Sequence, residues 1–141
     1  LPIEELRATL TSFLGATYGM LAALLLILAR WMQAALYNPG GFRLEFHSLR
    51  IGSKTALLLV GFMLAANFGL LPPSWVIYST VPLLFSGAAL VHGVVGIKKL
   101  PSAVLAVLYA VMLLPVVMQG LVLLALMDSW YDFRSRLASK T

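Results

Sequence analysis

Cysteine is absent from all 141 residues, which excludes disulfides, iron–sulfur clusters and thiolate metal sites. Charge is scarce as well. Only 11% of residues carry it, against about a quarter in soluble domains. Acids number five and histidines two. Paired carboxylates are missing from every apolar stretch; Asp128 and Asp132 stand four apart at the end of the last one. Glu45 and His47 are two apart, so they face different ways on a helix, and the other histidine is the distant His92. No metal centre, cofactor or catalytic constellation is expected.

What is present is apolar: 61% hydrophobic residues and a mean hydropathy of +0.96. A bilayer core of about 30 Å takes about 20 such residues per helix. Four stretches meet that need, at about 11–37, 55–71, 75–97 and 102–127. Backbone groups in lipid must be satisfied within their own segment, so these spans are helices. The expected fold is all-α, a polytopic membrane protein forming a single domain over residues 1–141. Pro82 and Pro115 each remove a backbone donor and predict kinks in the last two spans.

The formal charge is +5, and no nucleic-acid motif accompanies it. Lys and Arg beside apolar segments set membrane orientation instead. Arg43, Arg50 and Lys54 follow the first span, while Lys98 and Lys99 follow the third. That places both loops in the cytoplasm and both chain ends outside, in a bacterial inner membrane. Arg134, Arg136 and Lys140 in the tail oppose the assignment.

Between the first two spans the chain reads RWMQAALYNPGGFRLEFHSLRI. Asn38-Pro39-Gly40-Gly41 suits a type II turn, with Pro at the second position and Gly at the third. Residues 42–51 then predict a short interfacial helix, with Phe42, Phe46 and Leu49 within about 60° of one another. Arg43 and Arg50 share a flank facing the lipid headgroups. Arg30 snorkels to the same surface beside Trp31. No Lys follows the glycines at the spacing a phosphate-binding loop needs.

Small residues mark helix-packing faces: Gly15 with Gly19; Gly61, Ala65 and Gly69; and Ser86, Ala89, Gly93 and Gly96. Asn67, His92 and Gln119 fall at membrane depth, where polar residues either line a ligand site or bond across helices. Ser86 and His92 invite a hydrolase reading. Six helical positions separate them by about 9 Å along the axis and about 240° around it, so they cannot bond. Asp132 is placed to pair with Arg136 at i,i+4.

Three stretches, LARWMQAALYNPGGFRLEFHSLR, ALVHGVVGIKKLPSAVLAVLY and DSWYDFRSR, together resemble the YybS-like family of bacterial membrane proteins of unknown function. The NPGGF turn and the D-x-W-x-D-F-R ending are the most specific parts. Members are much longer, so the resemblance implies that this chain is a carboxy-terminal half. The family is grouped by distant similarity with the substrate-capture subunits of energy-coupling-factor vitamin transporters. A transporter-like or membrane-complex subunit is therefore the leading expectation, with a small-molecule ligand between helices. The rival is a non-transporting scaffold that packs against another membrane protein or itself. The expected partners are the lipid bilayer and a membrane protein, with no nucleic acid.

Overall fold

The computed structural model describes residues 2–140. It holds seven helices and, among the described residues, no strand: α1 (Ile3–Tyr37), α2 (Gly41–Ser48), α3 (Ser53–Asn67), α4 (Ser74–Ile97), α5 (Ala103–Val111), α6 (Pro115–Tyr131) and α7 (Phe133–Ala138). α1 and α4 are each long and apolar enough to cross a membrane, and the count rises to four if α2–α3 and α5–α6, both bent pairs, are single spans. The protein is thus all-helical with two to four candidate membrane spans. The chain divides into two compact units, one holding α1 with residues 57–81, the other residues 43–56 with the chain from Pro82 onward.

In the first unit α1 opens with Glu4 and Glu5 in its first turn, where acids favour the helix dipole. It runs 35 residues and buries only Ala34. Gly15 sits against the tip of Tyr78: a Cβ there would lie 2.7 Å from the Tyr78 hydroxyl, so that ring end would have to shift. Phe62 and Trp75 pack at 4.8 Å between ring centroids, with Tyr78 beyond Trp75 at 6.5 Å. α1 ends where proline chemistry predicts. The amide of Gly41 donates to the Asn38 carbonyl at 3.0 Å across a turn whose Gly40 has φ +87°. That is the type II geometry expected.

α3 stops at Asn67, short of the expected Leu71, and Gly69 explains the stop. At φ +75° it lets the Leu70 amide reach the Ala65 carbonyl (2.8 Å) while its own amide reaches Ala66 (3.2 Å). This is a Schellman cap. Lys99 closes α4 in the same way at φ 51°, its amide bonding Gly96 and that of Leu100 bonding Val95. Pro82 lies inside α4 without ending it.

The second unit departs most from expectation. The stretch 102–127 is not one helix; α5 and α6 are bent by 116°. Proline disfavours helical backbone in the residue before it, and Leu114 is extended (φ −79°, ψ 128°) with Pro115 opening α6. α6 then buries Leu121, Val122, Ala125, Asp128 and Ser129, a helical stripe. It packs on the buried segment of α4 that contains Leu83, Leu84, Ala88, Ala89 and Leu90. Gly87 makes that approach possible. A Cβ there would strike the Leu121 carbonyl oxygen and lie 2.9 Å from its carbon, both rigid backbone.

Contacts along the helices give their direction. Gly87 meets Leu121, and further along α4 Gly93 meets Arg134, just beyond α6. The two helices therefore run the same way. Tyr109 of α5 bonds His92 of α4 at 3.2 Å, so α5 climbs back along α4 before α6 returns. Both ends of the α5–α6 hairpin thus lie at the carboxy-terminal end of α4. The tail lies beside the loop that follows α2, which corrects the placement of those two segments on opposite sides.

Candidate functional site

The charged residues gather at that end of α4. Arg50, in the loop between α2 and α3, donates from Nε to the Asp128 carbonyl (3.0 Å) and from Nη2 to that of Ser129 (3.1 Å). These carbonyls belong to the last turn of α6; that of Asp128 already accepts the Asp132 amide at 3.0 Å, and Arg50 supplies it with a second donor. Arg134 does the converse for α2. Its Nη1 donates to the carbonyls of His47 (2.6 Å) and Leu49 (2.9 Å), which ends the helix at Ser48 rather than at the expected Ile51. Each arginine caps the other segment's helix.

Asp128 holds the two together. It is 0% exposed, and its Oδ2 accepts from Arg134 Nη2 at 2.7 Å. Its Oδ1 accepts the Phe133 amide at 2.8 Å. That bond bridges a sharp turn made by Asp132, which adopts left-handed backbone at φ 47°. Aspartate tolerates this region better than most residues. Asp132 then pairs with Arg50 at 2.8 Å, not with Arg136 as local spacing suggested, and caps α7 through the Ser135 amide.

Above this knot lies a cavity of about 670 Å³. Its lining includes Arg43, His47, Arg50, Gly93, Gly96 and Arg134. Gly93 makes room for the backbone of α2 as well as for a side chain, its would-be Cβ lying 3.1 Å from the His47 carbonyl oxygen, and Gly96 makes room for a side chain. A Cβ on Gly93 would sit 3.0 Å from Arg134 Cδ, and one on Gly96 would sit 2.9 Å from His47 Cε1. Burial holds the His47 pKa below its usual 6.5, and Arg43, His92 and Arg134 push it down further. A depressed pKa means that the folded state resists protonation. The stability it contributes is full above the unfolded value and is lost as pH falls through the folded one. Thermal unfolding at about pH 7 and about pH 5 is expected to show a smaller acid loss in His47→Gln than in the parent. Equal losses would mean that His47 does not carry the effect.

His92 is half-buried, with both ring nitrogens partnered. Its Nδ1 lies 2.9 Å from the Ala88 carbonyl, which can only accept, so in the neutral ring Nδ1 carries the proton. Nε2 then accepts the Tyr109 hydroxyl. Phe46 meets its ring edge-on at 5.2 Å. Gln119 is exposed on α6, and Asn67 is exposed at the end of α3 in the other unit. Neither His92 nor Gln119 lines the cavity.

The remaining expected sites divide. Gly19 and Gly61 have nothing within 4 Å of a would-be Cβ. Ala65 is half-buried, Ala89 fully buried, and Ser86 is buried with no partner for its hydroxyl among the described residues. Arg30 bonds Gln33 at 2.7 Å beside an exposed Trp31, and Phe42 and Phe46 are half-buried. Arg50, expected at the headgroups, is committed to the knot.

The knot itself was not foreseen. Its one sequence signal was a cluster of acids and arginines, D-x-W-x-D-F-R, closing an apolar helix. Comparison with known proteins finds no matching family model, curated protein or solved structure.

Proposed function

We propose that the chain is a multi-pass subunit of a bacterial inner-membrane complex. α1, α3 and α4 cross the bilayer in this reading with α2 at the cytoplasmic interface, while α5–α6 enters and leaves on the cytoplasmic side. The positive-inside rule supports the sidedness, because Arg43, Arg50, Lys98, Lys99, Arg134 and Arg136 then share one face. The subunit reading rests on α1. Thirty-five residues bury one, and Gly19 leaves a gap on its surface where another helix backbone can approach. Gly61 on α3 leaves another. Membership of the YybS-like family accords with this reading and rests on the three stretches quoted above.

A second reading, substrate capture for a transporter, draws on the cavity beside Arg43 and His47. Native mass spectra of the tagged full chain, extracted in mild detergent, separate the two. The subunit reading expects a stoichiometric membrane-protein partner or a second copy, lost on Gly19→Leu or Gly61→Leu. A monomer with no partner at any concentration sinks it. A reproducible small-molecule adduct, lost when Arg43 and His47 become Leu, would favour capture in that cavity.

A further inference from the structure

The cavity beside α2 has a property that neither packing nor capping requires. Arg50 and Arg134 direct their donors into carbonyls and carboxylates. Among the described residues Arg43 forms no hydrogen bond and no ion pair, yet its side chain lines the cavity. A guanidinium carries five donors in a fork that matches the oxygens of a phosphate, and here that fork is uncommitted.

The surroundings suit an anion. Arg43, Arg50 and Arg134 outnumber Asp128 and Asp132 by one positive charge. Asp132 also lines the cavity, but its carboxylate is held at 2.8 Å by Arg50 and so opposes an incoming anion weakly. Volume fits too: about 670 Å³ is a normal size for a small-molecule site. Leu44 and Ile97 add an apolar wall, as the acyl-chain end of a phospholipid would need. Gly93 and Gly96 keep α4 flat, so that His47 and Arg134 lie against it.

We propose that this cavity binds a phosphate group through Arg43. Two sources carry that chemistry at a membrane surface, an anionic phospholipid headgroup and a free phosphorylated solute. The lipid source rests on the reading of α4 as a span, whereas the solute source stands without it. The inference is also independent of whether α1 has a protein partner.

The test is native mass spectrometry of the full chain in detergent, titrated separately with dimyristoyl phosphatidylglycerol, dimyristoyl glycerol and glycerol 3-phosphate. Adducts with at least one phosphate compound, and much weaker ones with the diacylglycerol, are expected. Phosphatidylglycerol alone would identify a lipid site; glycerol 3-phosphate binding would identify a solute site. Arg43→Gln is expected to weaken binding about tenfold or more, since a bond to a charged group contributes about 1.5–3 kcal/mol. Arg43→Lys should retain part of it. Arg43 has no partner to lose, so the Gln variant should unfold at the parent's temperature, which separates loss of the site from loss of the fold. Equal binding of diacylglycerol, no phosphate adduct, or unchanged affinity in Arg43→Gln would each overturn the proposal.

Discussion

Replacing Asp128 by Ala is expected to cost about 3–5 kcal/mol of stability, the range for breaking one side of a buried ion pair. The carboxylate is 0% exposed and holds two groups at once, the Arg134 guanidinium at 2.7 Å and the Phe133 amide at 2.8 Å. Removing it strands a nearly buried cation and an unpartnered N–H, and each is expensive away from water. Asp128→Asn should cost less, because it keeps an acceptor for the amide and loses only the charge. Asp132→Ala is the contrasting case. Its pair with Arg50 is more than a third exposed at the acid, so a loss of about 0–1 kcal/mol is expected. Reversible unfolding in detergent, followed by circular dichroism, measures all three. The double variant Asp128→Ala/Arg134→Ala should be less destabilised than the two singles predict together, since it removes both charges. If Asp128→Ala unfolds within about 0.5 kcal/mol of the parent, the knot is a surface ornament.

The sequence was readable where one residue's own chemistry decides the backbone. The turn at Asn38–Gly41 has the expected φ and hydrogen bond because Pro39 and Gly40 permit little else. It was misleading where the deciding partner lies far along the chain. Asp132 has two arginines to choose from, and spacing favours Arg136, yet the fold brings in Arg50. Nothing local announces that Arg134 will cap a helix ending at Ser48. Small-residue stripes hid a similar difference. Gly93 and Gly96 fit a helix-packing pattern, but what fills the space above them is His47 and Arg134. Gly93 also faces the His47 carbonyl of α2, while the tightest approach of two helix backbones is at Gly87, one position off the predicted stripe. Pro115 was read as a kink, because membrane helices tolerate proline. The extended Leu114 before it turns the chain far more sharply than a kink.

That turn yields an all-or-none result. Because the chain has no cysteine, single cysteines placed at Lys99 and at Ser139 report sidedness without background. Both are expected to react with a membrane-impermeant maleimide from the same side, the cytoplasmic one. In a four-span arrangement they would react from opposite sides. The lengths favour the hairpin. α5 has nine residues, about 13 Å of helix, which is less than half of a bilayer core of about 30 Å. A cysteine at Leu113, at the tip and 86% exposed on the protein, should then be shielded by lipid from both sides. The charges require the same answer. Arg50 bonds the end of α6 directly, and Arg134 bonds the end of α2, so a bilayer between those segments would have to break both caps and both ion pairs. Labelling of Lys99→Cys and Ser139→Cys from opposite faces would therefore refute the hairpin and the ion-paired knot together. Labelling from one face would explain why the tail is basic: it lies on the side where positive charge is retained.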